Sequence, residues 1–335
     1  AGSSTGANNT AVGSNSLTNN TTANGNTALG WESLRTNTIG AYNTAIGGVS
    51  LYNSTTASNN VAIGYDSMYT NTTGANNVAV GVETLERNTT GSSNVAVGYQ
   101  ALEENTTGTS NTAVGFQSGD AITTGSDNTS LGYHSLTSNA GGSDNTAAGS
   151  ASLESCTSGI RNVAVGRKAG TNITTGSNNT VVGFLAGNIT TGSNNTCIGN
   201  DADPSSSTVS NEVVLGNSSV ATLRCNTQTI SSLSDGRDKT EVEDLPLGLD
   251  FIDTLRPVKF KWDTRDGNGK DGSYEAGFIA QDLQSAQSTS DAEYLKMVMD
   301  SNPDRLEAAY GQLIPVLVQA IKDLKYEIET LKANA

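Results

Sequence analysis

The side chains that could carry chemistry are few and unevenly placed. Cys156, Cys197 and Cys225 are widely spaced and odd in number. That spacing fits neither a metal site nor a disulfide framework, so they read as small, reduced, packed side chains. His134 stands alone, which excludes a histidine-based triad within one chain. Carboxylates recur in pairs at no fixed position through the first two hundred residues, so glycan cleavage by a carboxylate pair is not expected there. One run differs. Residues 231–245, Ser-Ser-Leu-Ser-Asp-Gly-Arg-Asp-Lys-Thr-Glu-Val-Glu-Asp-Leu, crowd hydroxyls, carboxylates, an arginine and a lysine around a single glycine. Alone, that is the composition of a solvated loop; its position makes it informative.

The run stands at a border. Residues 1–233 hold 6 Lys+Arg and 13 Asp+Glu, whereas residues 234–335 hold 12 and 20. The whole chain of 335 residues carries a formal charge of -15, which argues against a basic nucleic-acid-binding surface. No stretch approaches the roughly 20 apolar residues of a transmembrane helix, so membrane insertion is not expected. No charged-then-apolar leader begins at Ala1, so secretion is not indicated. No cofactor or metal is expected.

What precedes the border is a repeat. Asn9-Thr10-Ala11-Val12-Gly13 recurs at Asn26, Asn43, Asn60, Asn77 and Asn94, and on to Asn179, always at intervals of 17 residues. The copy at Asn195 comes one residue early, and Asn211–Gly216 reads as a last copy with an insertion. Four residues past each glycine sits Leu17, Leu34, Leu51, Met68, Leu85 or Leu102, then Gly119, Leu136 and Leu153. Polar composition of this kind usually means disorder, but disordered chains do not hold register through so many copies. In a strand the Ala faces one side and the branched residues flanking it face the other. The glycine supplies a corner, and Asn-Thr-Thr-Gly supplies turn chemistry. Stacked coils would rise about 4.8 Å each and place equivalent Asn side chains in a hydrogen-bonded ladder. So little apolar mass per coil predicts that several chains share one core.

The units Asn-Val-Ala-Ile-Gly-Tyr-Asp-Ser-Met (60–68) and Asn-Val-Ala-Val-Gly-Tyr-Gln-Ala-Leu (94–102) resemble the head repeats of YadA-type trimeric adhesins, and similar repeats occur in bacteriophage tail fibres. The resemblance covers about residues 8–217. It implies a homotrimeric, mainly β repeat rod, built as a left-handed parallel β-roll; the longer period of 17 keeps an intertwined triple β-helix open. The aromatics after the glycines, Trp31, Tyr65, Tyr99, Phe116, Tyr133 and Phe184, line up along one edge. They either pack between chains or form a strip that stacks on the sugar rings of a receptor.

After the border the pattern is that of a small α+β domain. Val258-Lys259-Phe260-Lys261-Trp262 alternates like a strand, Asp266-Gly267-Asn268-Gly269 is a hairpin-type turn, and Glu275–Gln281 is a second short strand or a strand–helix junction. Ile314, Leu317, Ile321, Leu324, Ile328 and Leu331 make an a/d seam of period 3.5, with Pro315 near the helix start. The seam predicts an oligomeric coiled coil, against the alternative of a helix packed on its own domain.

Ser-Asp-Gly-Arg-Asp-Lys (234–239), Leu-Arg-Pro-Val-Lys-Phe-Lys-Trp (255–262), Gly-Phe-Ile-Ala-Gln-Asp-Leu (277–283) and Leu-Ile-Pro-Val-Leu-Val-Gln-Ala-Ile-Lys-Asp-Leu-Lys (313–325) together resemble the C-terminal intramolecular chaperone domain of phage tailspikes and fibres, the peptidase S74 family. The resemblance implies a self-cleaving serine endopeptidase acting once in cis. Ser234 would be the nucleophile and Lys239 the general base, with cleavage between Leu233 and Ser234 and supporting roles for Asp235 and Arg237. A lysine near pH 7 is a poor base until burial or a neighbouring cation lowers its pKa. Five residues span about 140° of a helix and opposite faces of a strand, so a turn at Gly236 or a second protomer must join the pair.

The expected organisation is therefore a rod at 1–200, its end and a stem at 201–233, and a chaperone domain at 234–335. The expected protein is a virion tail fibre assembled in the bacterial host cytoplasm. It would meet a host-surface receptor, a glycan, and other tail proteins, and would release its chaperone after cleavage. The alternatives are a bacterial trimeric adhesin and a tailspike acting on host polysaccharide.

Overall fold

The computed structural model describes residues 5–220, 222–224, 234–261, 274–300 and 306–334. Cys225, Leu233, Trp262 and the expected turn at Asp266–Gly269 lie outside the described residues. The chain divides into two compact units, Ala1–Asn217 and Ser218–Ala335.

The first unit is a parallel β-solenoid. Thirteen three-residue strands, β1 (Thr10–Val12) to β13 (Val213–Leu215), form one parallel sheet in sequence order. Successive coils of the same chain pair directly, with Val61 opposite Val78, Ala62 opposite Ala79 and Ile63 opposite Val80. That pairing is roll-like; in an intertwined triple helix a strand from another chain would stand between successive coils. The shortened copy is absorbed without loss of register, since Thr180 pairs with Thr196. The last copy departs from the expectation. Thr196 pairs with Val213, so there is no insertion: Glu212 occupies the ladder position, and its N–H donates to Asn195 Oδ1 at 3.0 Å.

Each coil position has a distinct physical job. The central Ala of the strand is fully buried coil after coil, and the branched residues beside it stay half-buried or exposed. Small Ala allows the opposite wall to close down on the sheet, and that wall is the Leu column, also fully buried from Leu34 to Leu102. The core is thin and continuous, because one coil alone could not bury this surface. The Leu column turns the corner in the left-handed region (Leu34 φ 48°, Leu85 φ 51°), a conformation that costs a non-glycine residue about 1 kcal/mol or more and must be held by its surroundings. The glycine ending each strand is required for close approach. A Cβ on Gly64 (φ 141°) would meet the Gly81 carbonyl oxygen at 2.0 Å, one coil on.

Between these walls runs the expected asparagine ladder. The Asn43 N–H donates to Asn26 Oδ1 at 2.8 Å, the Asn60 N–H to Asn43 Oδ1 at 3.0 Å and the Asn77 N–H to Asn60 Oδ1 at 2.9 Å. Each side-chain Nδ2 donates onward, as from Asn60 to the Gly74 carbonyl at 2.9 Å. These amides are buried, so each rung replaces water that the interior excludes. A second column, three residues past the Leu, holds Asn71, Asn88 and Asn105; Asn88 Nδ2 donates to Asn71 Oδ1 at 2.8 Å and Asn105 Nδ2 to Asn88 Oδ1 at 2.9 Å. Ile122 breaks that column. In the same coil the Leu is replaced by Gly119, and the Ile122 side chain fills the space, with Cδ1 3.0 Å from where a Gly119 Cβ would stand. The exchange recurs at Gly170 and Ile173, at the same 3.0 Å.

The second unit has its own small core of Phe251, Leu283, Ala292, Leu295, Met297, Leu313 and Val316. Helix α1 (Leu249–Thr254) precedes β14 (Val258–Phe260), which pairs antiparallel with β15 (Glu275–Gly277). Helix α2 (Ala280–Thr289) follows at once, so the Glu275–Gln281 stretch is both a strand and a strand–helix junction. A second short hairpin, β16 (Val298–Met299) with β17 (Glu307–Ala308), leads to the last helix, α3 (Ile314–Ala333), with Pro315 in its first turn. Helix α3 packs on its own unit through buried Val316 and Ala320, and Asp323 Oδ2 accepts from the Leu249 N–H at 3.1 Å. The predicted a/d seam is the other face: Ile314, Leu317, Ile321, Leu324, Ile328 and Leu331 are all exposed in the single chain. Among the described residues no helix is long and apolar enough to cross a membrane.

Candidate active site

The geometry of residues 234–239 comes from a short-range competition. Asp235 prefers to hydrogen-bond the backbone two residues on, as aspartate does in turns and at caps. Its Oδ1 accepts from the Arg237 N–H at 3.0 Å and caps a single 3-10 turn over Gly236–Asp238. The turn closes with the Asp238 N–H on the Asp235 carbonyl at 3.1 Å and the Lys239 N–H on the Gly236 carbonyl at 3.3 Å. This folds the chain back on itself, and Lys239 Nζ donates to Ser234 Oγ at 2.6 Å. A pair that no regular helix or strand could join is joined by one turn.

The surroundings are open. Ser234 to Lys239 are all exposed in the single chain. Arg237, the cation nearest to the lysine along the chain, is bound to Asp235: Nε lies 3.1 Å from both carboxylate oxygens, and Nη2 also pairs with Oδ2. The guanidinium holds the Asp235 carboxyl below its usual range, and the carboxylate raises the arginine in turn. The charge of Arg237 is thus largely offset by Asp235. The direction of the hydrogen bond matters as well. A lysine that donates to Oγ positions the serine, whereas a lysine acting as base must accept the hydroxyl proton.

Residues 234–291 match the Peptidase S74 family, described as the chaperone of endosialidase. The match opens at Ser234 itself, the residue after the expected scissile bond. No curated protein and no solved structure matches the chain. The S74 family is linked to self-cleaving chaperone domains, and a β-solenoid followed by an S74 segment fits a tail-fibre or tailspike-like protein with an intramolecular chaperone.

On the rod, the aromatics do line one edge, and they fall into two kinds. Phe116 is stacked between Tyr99 (centroids 5.2 Å apart) and Tyr133 (5.5 Å), and the His134 ring lies 4.1 Å from that of Tyr133. These rings use their faces on one another, which leaves Phe116 no free face for a sugar. Trp31 and Tyr65 are two coils apart with Gly48 between them, and both are exposed. Phe184 lies under the Arg167 guanidinium, 5.4 Å from the ring centroid.

An acidic patch lies outside the sequence expectations. Coil register sets Asp66 beside Glu83 and Glu86 beside Glu103, each pair one coil apart. Burial, chiefly, raises the carboxyls of Asp66, Glu86 and Glu103, with like charges adding to it. A spacing of 17 between acids is the available signal, but it occurs in these coils and not throughout the repeat. Cys156 and Cys197 are buried thiols pushed up to about 11, consistent with packed rather than reactive side chains.

Proposed function

We propose that the protein is a homotrimeric phage tail fibre whose C-terminal unit aligns three chains and then cuts itself away between Leu233 and Ser234. The observation that carries this reading is the Ser234–Lys239 contact of 2.6 Å at the first residue of the S74 match. Cleavage transfers the Ser234 hydroxyl proton to the Lys239 amine as Oγ attacks the Leu233 carbonyl carbon. The C–N bond to Ser234 then breaks, its nitrogen takes the proton, and water hydrolyses the ester to leave a new carboxyl-terminus at Leu233. The amine works as a base only when stripped of water or set beside a second cation. In a lone chain Lys239 is solvated and Arg237 is bound to Asp235. Association supplies the burial, so cleavage waits for assembly.

Two apolar surfaces support a three-chain arrangement. One is the α3 seam; the other is the outward strand face, where Val12 stands exposed opposite Leu29 and Val114 opposite Leu131, with Ile63 at the same strand position. A β-solenoid with near-identical coils is prone to slip by whole coils, and a trimeriser at one end removes that freedom. Once the end unit has left, the rod persists because it unfolds slowly. Attachment to a host-surface glycan completes the reading, supported by the exposed aromatic edge.

The deciding experiment compares wild type, Ser234→Ala and Lys239→Ala on a denaturing gel after assembly. Fragments of 233 and 102 residues are expected from wild type alone. Intact wild-type chain in an assembled trimer overturns the self-cleaving reading.

A further inference from the structure

Among the described residues of the rod, the Trp31–Gly48–Tyr65 edge is the one place where two aromatic rings flank a missing side chain. These residues occupy the same position in three successive coils. Rings one coil apart elsewhere on this edge stack at 5.2–5.5 Å. Trp31 and Tyr65 are two coils apart, so their backbones stand about 9.6 Å apart along the sheet. Two rings that close on one carbon-sized group need about 3.5–4.0 Å on either side of it. The place a Gly48 Cβ would take is 3.3 Å from Tyr65 Cδ2 and 3.9 Å from Trp31 Cε3. Both rings therefore lean over Gly48, and the gap between them at its floor is one methyl group wide. Trp31 is 53% and Tyr65 52% exposed, so the gap opens to solvent.

The residue beneath differs in type and not in backbone. Val49 takes the left-handed conformation (φ 53°) that Glu32 and Asp66 share at the same coil position, but it is apolar and packed at 6% exposure. Gly48 is outside that region, so an alanine there would not strain the backbone. On the Tyr65 side the electrostatics are negative. Asp66 and Glu83 both act on the Tyr65 hydroxyl, Asp66 most strongly and by a hydrogen bond as well. On the Trp31 side Glu32 is neutralised by Arg35 at 3.0 Å. An anionic sugar meets repulsion here; neutral sugar hydroxyls meet a carboxylate that accepts their hydrogen bonds.

We propose that the gap over Gly48 binds a neutral sugar that inserts a methyl group, from a 6-deoxy ring or an N-acetyl substituent, between Trp31 and Tyr65. This rests on the glycan-attachment reading and names its site. It also assigns Gly48 a role: it specifies the gap by having no side chain.

The test uses the full assembled chain in a Trp262→Phe background, so that fluorescence reports Trp31. It is titrated with the 2-hydroxyethyl glycosides of N-acetylglucosamine and of rhamnose, with 2-hydroxyethyl glucoside as the control that carries no methyl group and tetramethylammonium chloride as a cationic probe. A saturable change is expected with a methyl-bearing sugar, at least tenfold weaker for the glucoside. Whichever of the two methyl-bearing sugars responds identifies the source of the methyl. Gly48→Ala, which puts a methyl in the gap, should abolish the response, and Phe116→Ala should keep it. Three results overturn the site: no response to either methyl-bearing sugar, an equal response to the glucoside, or full retention in Gly48→Ala. A response to tetramethylammonium alone overturns the sugar in favour of a methylated cation. Adsorption of the same chain to host cells separates the two readings. Adsorption without any sugar response sinks the gap and leaves attachment standing; a sugar response in a chain that adsorbs to no cell does the reverse.

Discussion

The two units solve the problem of a small core in opposite ways. The rod has almost no charge and little apolar mass, and it gains stability by repeating one thin layer of Ala, Leu and Asn through thirteen strands. The second unit is charged and irregular, and gathers seven buried residues into a single cluster. The difference lies in what each can specify. Any rod coil fits against nearly any other, so its sequence defines a layer but not a register between chains. The second unit outside α3 has no repeat to slip on, so in the proposed trimer its irregular core, together with the short α3 seam, would fix the alignment that the rod leaves open. Regularity gives the rod its cohesion, and irregularity elsewhere supplies its uniqueness.

That contrast breaks most visibly if the seam is charged. Ile321→Asp with Leu324→Asp places carboxylates on the exposed a/d face and leaves the buried Val316 and Ala320 contacts intact. Loss of trimer and of cleavage is expected, with most of the chain in aggregates by size-exclusion chromatography. Deleting residues 94–110, one whole coil of 17, should leave a trimer of normal cleavage whose rod is shorter by about 4.8 Å in electron micrographs. If the coil deletion is the worse of the two, the division of labour is wrong.

A subtler effect sharpens the same comparison inside the rod. Gly119 and Ile122 replace the usual Leu and Asn of a coil, and the exchange leaves Asn105 Oδ1 and Asn139 Nδ2 buried without partners. Gly119→Leu alone drives a side chain into Ile122, at a cost of about 1–3 kcal/mol. Ile122→Asn alone leaves a void beside Gly119 and costs about 2–5 kcal/mol. The double variant restores the common pair and gives Asn105 and Asn139 a neighbouring amide. It should unfold in urea at or above the wild-type midpoint. Additive losses would show that the coils are not interchangeable layers.

Much of this architecture is legible in the sequence, because most of it repeats. The buried Ala, the Leu column and the Asn rungs such as Asn60, Asn77 and Asn94 follow from a period of 17 read position by position. The turn that joins Ser234 to Lys239 is also foreseeable, since the spacing of five demands one and Gly236 marks its place. Features that depend on neighbours across coils are not visible in this way. The Gly119–Ile122 exchange and the Glu212 rung each arise through the register of the sheet. Arg237 looks like a cation for the lysine in the linear sequence. Proximity along the chain does not reveal that Asp235 caps the turn and takes the arginine first.

The smallest expected effect concerns the acidic patch and separates the units by pH. In the folded rod the carboxyls of Asp66, Glu86 and Glu103 are raised, chiefly by burial. The folded state therefore holds protons that the unfolded chain releases, and stability falls as pH rises through the window above the ordinary carboxylate range. Lowering pH from about 7 towards about 5 should raise the rod's melting temperature slightly, until other carboxylates begin to protonate. Glu86→Gln with Glu103→Gln should flatten that slope. In the second unit the lowered Asp235 carboxyl has the opposite sign: its contribution is present above the ordinary carboxylate range and lost as pH falls through the lowered value. Calorimetry of the chain at the two pH values should thus move the rod transition up on acidification without an equal gain in the other unit. Parallel shifts in both would show that the patch, packed by coil register, is not what sets the rod apart.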